Sequence, residues 1–105
     1  MSVSISEMNK ENAKHYGYEV QSNQLVEECA ELIQAVSKFR RATTGAGQPV
    51  ADYKKTVSLE NLIEEIADVE IMLEQIKYLL HISEAELDEV KYFKVNRARA
   101  RMQSK

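Results

Sequence analysis

Leu25-Val26-Glu27-Glu28-Cys29-Ala30-Glu31-Leu32 returns 37 positions later as Leu62-Ile63-Glu64-Glu65-Ile66-Ala67-Asp68-Val69, with each apolar and each acidic position kept in register. In both copies the residues at i, i+4 and i+7 (Leu25, Cys29, Leu32 and Leu62, Ile66, Val69) form the apolar stripe of an amphipathic helix. The acids three apart, Glu28 with Glu31 and Glu65 with Asp68, flank that stripe. Two such helices packed antiparallel, about a pseudo-two-fold axis, bring four carboxylates together. Carboxylates about 4 Å apart repel by roughly 4 kcal/mol at an effective dielectric of about 20, so the cluster needs an offsetting charge. A single acidic run on a solvated face needs none. Its duplication at one offset from the core stripe favours a divalent cation held between the helices.

Upstream of the first copy, Ser22 is placed to cap a helix running to Arg41, with a seam of Leu25, Cys29, Leu32, Val36 and Phe39 at alternating spacings of four and three. Gln21, Gln24 and Ala35 share the flank of Glu28 and Glu31, so the two amides are either ligand-binding groups beside the metal or surface glutamines. Before them, Ser4 and Glu7 form a capping box that opens a short helix ending at Gly17. From residue 42 to 57 periodicity is lost across Gly45, Gly47 and Pro49, which predicts a long loop, mobile or acting as a lid. Lys54 and Lys55 in that stretch are suited to neutralising a phosphate.

Ser58 is the expected cap of the helix carrying the second copy, whose seam continues as Leu62, Ile66, Val69, Leu73, Ile76 and Leu80 and ends near His81. Ser83 and Glu86 open a fourth helix reaching toward Met102. Its first turns are acidic, then Lys91, Lys94, Arg97, Arg99, Arg101 and Lys105 follow without an acid among them. Dipole complementarity accounts for part of that asymmetry. Asn96 is expected to face inward, and with some of the basic residues it gives a phosphate-binding face.

The 105 residues make one domain, 1–105, with a core small enough to be helped by a partner copy, so a homodimer or homotetramer is expected. A net charge of −3 disfavours a dedicated nucleic-acid binder. The single Cys29 excludes an intramolecular disulfide and suits a reducing, cytoplasmic setting, and no apolar run predicts a secretion signal or membrane span.

An all-carboxylate ligand set suits hard cations, Mg²⁺ or Mn²⁺, whose usual task is to hold and polarise phosphates. The Glu-Glu-x-x-Glu of Glu27-Glu28-Cys29-Ala30-Glu31, followed by the Glu-x-x-Asp of Glu65-Ile66-Ala67-Asp68 on the next amphipathic helix and preceded by Gly17-x-x-x-Gln21, resembles the MazG-like all-α nucleoside triphosphate pyrophosphohydrolases. That resemblance spans Gly17 to Leu32 and Asn61 to Leu80. It implies an all-α, four-helix bundle with two long antiparallel core helices, completed by oligomerisation. It also implies Mg²⁺ ligation by Glu28, Glu31, Glu65 and Asp68, and Mg²⁺-dependent hydrolysis of a (deoxy)nucleoside triphosphate to monophosphate and pyrophosphate in nucleotide-pool housecleaning. Two departures stand out: the segment between the motifs is longer than in compact members, and the last helix matches only in its Lys94-x-Asn96-Arg97 character.

Glu27 lies nearly in line with Glu31 and borders the cluster, where a carboxylate not needed as a ligand is placed to act as general base. Gln21, Gln24, Lys94, Asn96 and Arg97 are the expected substrate contacts. Two other classes remain open on the residues alone. One is a non-catalytic helical interaction or regulatory module with an incidental acidic cluster; the other is a nucleic-acid accessory protein using the basic last helix.

Overall fold

The computed structural model describes residues 2–44 and 50–104, which form three α-helices and no strand: α1 (Ile5–Thr44), α2 (Asp52–Leu79) and α3 (Glu84–Gln103). Ser4 opens α1 as expected, its hydroxyl oxygen accepting from the Glu7 amide at 3.0 Å. The helix is interrupted at Gly17 alone, where φ is 85° and ψ is 169°. Helical geometry resumes directly after it, so α1 is two helical segments meeting at a kink, the first ending at Gly17 as expected. Ser22 is inside that element and caps nothing; its hydroxyl donates to the Glu19 carbonyl at 3.1 Å.

Gly17 occupies backbone space that a side chain reaches only under strain. A Cβ there would meet nothing within 4 Å, so the cost of Gly17→Ala is conformational and not steric. We expect a loss of about 1–3 kcal/mol in chemical denaturation. A loss below about 0.5 kcal/mol would mean that the arm before the kink does not depend on this angle.

The kink folds the arm before it back onto α2. Asn9 donates from Nδ2 to the Ile71 carbonyl and to Glu74 Oε1, both at 2.9 Å, and Ser6 donates to Glu74 Oε2 at 3.1 Å. Gln75 donates to Asn9 Oδ1 and accepts from Gln21 Nε2, both at 2.7 Å. One buried amide of α2 thus joins residues from both sides of the Gly17 kink.

Beyond the kink, α1 and α2 run antiparallel in a fixed register. Gln21 meets Gln75, Glu28 meets Asp68, Glu31 meets Glu65, and the end of α1 at Lys38 and Ala42 reaches Lys54 and Ser58. The intervening segment is shorter than expected, because α1 continues to Thr44 and α2 begins at Asp52. Lys54, Lys55 and Val57 are therefore helical. Ser58 is no cap, its hydroxyl donating to the carbonyls of Lys54 and Lys55. The expected breakers Gly45, Gly47 and Pro49 lie outside the described residues.

The helices meet on a different face from the one the apolar spacing predicts. Ala35 and Ala42 of α1 and Val69 and Met72 of α2 are buried, together with Gln21 and Gln75. Of the expected seam, Val69 is buried, Leu25, Cys29, Leu32, Phe39, Leu62 and Ile76 are half-buried, and Val36, Ile66, Leu73 and Leu80 are exposed. The contact is thus rotated toward the flank holding Gln21, Glu28, Glu31 and Ala35. Small and polar side chains of α1 meet Val69, Met72 and Gln75 of α2 there, and Val36, Ile66, Leu73 and Leu80 are left outside.

α2 ends in two backbone bonds, His81 N–H to Tyr78 O and Ile82 N–H to Lys77 O, with His81 at φ 57°. That is the pairing of a Schellman turn, here built without glycine. Ser83 then caps α3, accepting from the Glu86 amide at 3.1 Å, and Lys77 pairs with Glu84 at 2.9 Å. Past this joint α3 buries no residue, and none of its α-carbons comes within 8 Å of α1 or α2. Asn96 is accordingly exposed and not turned inward. No helix among the described residues is long and apolar enough to cross a membrane.

Candidate functional site

The antiparallel register sets the two octapeptides side by side. One carboxylate oxygen from each of Glu28, Glu31, Glu65 and Asp68 falls within 4.8 Å of the others. Glu28 and Glu31 are successive members of the α1 flank that faces α2, and Glu65 and Asp68 hold the matching positions on α2. Glu31 is exposed and the other three are half-buried, so the cluster is a groove floor open on one side.

Burial raises the pKa of Glu65 above its ordinary 4.5, and the charges of Glu31, Asp68 and Glu28 add to the effect. Burial likewise raises Asp68 above 3.8, with the charge of Glu28 contributing. No cation reaches the four: the ion pairs among the described residues are Lys55–Asp52 and Lys77–Glu84. Gln24 donates to Glu28 Oε1 at 2.7 Å. Glu28 Oε2 and Glu65 Oε2 are buried without a hydrogen-bond partner among the described residues. A buried carboxylate oxygen with no donor is costly unless something positive sits beside it.

The donor set fits a hard divalent ion. Oxygens on opposite sides of Mg²⁺ lie about 4.2 Å apart and across Ca²⁺ about 5 Å apart, from bonds of roughly 2.1 and 2.5 Å. The observed span falls between them. Gln24 holds one oxygen of Glu28, fixing the orientation of that carboxylate as an outer partner of a ligating group would.

The raised carboxyl values have a definite pH consequence. A folded-state pKa above the unfolded one means that the folded chain binds protons more tightly. The stabilising contribution is then complete below the ordinary carboxylate range and is lost as pH rises through the raised values. Metal-free protein should therefore melt at a higher temperature near pH 4.5 than near pH 7 as far as these groups decide it, and excess divalent ion should shrink the difference. Scanning calorimetry in chelator and in magnesium checks this; a metal-free melting point that climbs steadily toward neutrality contradicts it.

The other expected site residues are distributed unevenly. Gln24 is at the cluster, as described. Gln21 is buried and its Nε2 is bonded to Gln75, so this amide is spent on the fold and does not face a ligand. Glu27 is exposed next to Glu28 and is not among the converging oxygens. Lys94, Asn96 and Arg97 lie on α3, exposed and linked by no hydrogen bond or ion pair to the hairpin among the described residues; the Arg97 guanidinium stacks 5.5 Å from the Phe93 ring. Within one chain, α3 is not brought to the carboxylates.

Sequence reasoning passed over Lys38 and Asn61. Lys38 is seven residues beyond Glu31 and Asn61 four before Glu65, spacings that continue the two acid-bearing faces along the same groove. No protein-family model, curated protein or solved structure matches the chain.

Proposed function

We propose that the protein is a Mg²⁺-dependent nucleoside triphosphate pyrophosphohydrolase of MazG-like character, releasing monophosphate and pyrophosphate. One observation carries this reading: four carboxylates from a duplicated motif converge with two buried oxygens unpartnered and no protein cation beside them. Glu28, Glu31, Glu65 and Asp68 hold the ion, which when bound supplies a Lewis acid for phosphate oxygens and lowers the pKa of coordinated water. Gln24 orients Glu28. Glu27, exposed at the rim, takes the proton of the attacking water as its oxygen bonds to the α-phosphorus and the bridging oxygen leaves with pyrophosphate. The test is hydrolysis of a panel of nucleoside triphosphates in ¹⁸O-labelled water. Label in the monophosphate with pyrophosphate as co-product is expected; orthophosphate as the first product, or label in pyrophosphate, rejects the reaction.

Self-association belongs to the same proposal. The chain exposes 8482 Å², whereas a compact 12 kDa monomer exposes roughly 6,000 Å². Its radius of gyration is 17.9 Å, against about 13 Å for a compact chain of this length. The excess of roughly 2,500 Å² per chain is of the size that obligate homodimers bury. The apolar side chains left outside include Val26, Ile33 and Ile63 on the hairpin and Tyr92, Phe93, Val95 and Met102 on α3. A homodimer or dimer of dimers covers these surfaces and offers Lys94, Asn96 and Arg97 of one copy to the carboxylates of another. Sedimentation equilibrium at micromolar concentration is expected to show a dimer or tetramer, and a fully active monomer would contradict it.

A further inference from the structure

The acid-bearing groove does not end at the carboxylates. Toward the loop end of the hairpin its α1 side continues through Ala35 to Lys38, Arg41 and Ala42, and its α2 side runs back through Asn61 and Ser58 to Lys54. Lys38 and Lys54, on opposite helices, line the same two adjoining hollows. One, of about 310 Å³, also takes in Arg41; the other, of about 330 Å³, takes in Asn61. Each is of a size that receives part of a small molecule. Lys38, Arg41 and Lys54 are in no ion pair among the described residues, whereas the nearby Lys55 is engaged by Asp52 at 3.8 Å. The hairpin thus carries unneutralised negative charge at mid-length and unneutralised positive charge at its loop end, along one groove.

We propose that Lys38, Arg41 and Lys54 form an anion subsite that receives the distal phosphates of a polyphosphate whose proximal phosphate is held at the carboxylate cluster through the divalent ion. The proposal rests on the metal-dependent function above and deepens it by naming the protein cations that read the triphosphate chain. Spacing places Lys38 nearest. It lies two helical turns, about 10 Å, beyond Glu31, and helical side chains lean toward their own N-terminus, so Lys38 leans back toward the cluster. Lys54 on the antiparallel helix leans instead toward the loop end and closes the far side of the hollow. Arg41 adds a forked donor and the lysines mobile point charges, a combination suited to phosphate oxygens. Asn61 stands between the two charge zones and makes no side-chain hydrogen bond among those found in the described residues. The subsite also supplies, within one chain, the positive charge that α3 does not bring to the groove.

The test is calorimetric titration of sodium tripolyphosphate at fixed ionic strength, with and without saturating magnesium, into the wild type, Lys38→Met/Lys54→Met and Asp68→Asn. Magnesium alone is titrated into each. With magnesium, the double variant should bind tripolyphosphate at least about tenfold more weakly than the wild type, since two charge-assisted contacts are lost. Its binding of magnesium alone should be unchanged. Equal tripolyphosphate affinity in the double variant and wild type overturns the subsite and leaves the metal reading standing. Absence of magnesium binding to the wild type overturns the metal reading instead. The subsite is then judged by metal-free titration, where wild type and Asp68→Asn should both bind more tightly than the lysine variant, and no difference among the three overturns it.

Discussion

Asp68→Asn and Glu65→Gln should each remove divalent-ion binding and turnover while raising the melting temperature of the metal-free protein by a few degrees. The two effects have one cause. Burial, and then the like charges around it, push each acid's pKa upward, so converting it to an amide removes both the buried charge and the repulsion and keeps nearly the same volume. The same carboxylate is one of four oxygens available to an ion, and an amide replaces it poorly. Removing an outer partner of a metal ligand typically costs 10–100-fold, about what Gln24→Ala should do, and removing a ligand should exceed that. Isothermal titration with Mg²⁺, steady-state turnover and thermal melts in chelator give the three readouts. Destabilisation by both substitutions with activity intact would assign these acids to the fold.

Gln75→Leu should be the most damaging substitution outside the cluster. Gln75 is 3% exposed and uses both ends of its amide, donating to Asn9 and accepting from Gln21. Leucine fills the space but leaves Asn9 Oδ1 without its donor and Gln21 Nε2 without its acceptor, and each orphaned buried group costs about 1–3 kcal/mol. A combined loss of about 3 kcal/mol is a large share of the ~5–15 kcal/mol that holds a domain together. It corresponds to a fall in melting temperature of roughly 12–24 °C. Adding Gln21→Leu removes one of the two orphans and should restore part of the loss. A single variant melting within about 3 °C of wild type would show that water satisfies these groups.

Helix content, the capping boxes at Ser4 and Ser83, the break at Gly17 and the meeting of Glu28, Glu31, Glu65 and Asp68 were all legible in the sequence, because each depends on spacing within one helix or on the repeat of one motif. The contact face was not. Spacing identifies the most apolar stripe of a helix, but not which of two faces the hairpin uses for itself and which stays outside. Here the flank with Gln21, Ala35, Met72 and Gln75 became the inner one, with Val69 the one seam residue buried beside it. Gln21 shares the acid-bearing flank, yet its hydrogen-bond partner Gln75 lies on another helix, and no local pattern announces such a pair. Ser22 and Ser58 have the chemistry of caps, but the chain around them stays helical and they bond back to carbonyls of the preceding turn instead. α3 was misplaced for a simpler reason: its sequence describes a helix, and nothing in it fixes the direction the chain takes after His81.

The buried alanines act as a gauge on the chemistry. Ala35 is 1% exposed and sits one turn from Glu31 on the face that meets α2. The clearance between the two backbones at that level is therefore set by a methyl group, and the same clearance fixes the separation of the facing acids. A larger side chain at 35 would wedge the helices apart at one end and widen the opposition of Glu31 and Glu65, easing their repulsion while spoiling their grip on a small ion. With the proposed ion bound, tightness of packing and selectivity for ionic radius would be one dimension of the molecule. Drift at a position with no chemistry of its own would then change which cation is preferred before it changed whether the protein folds.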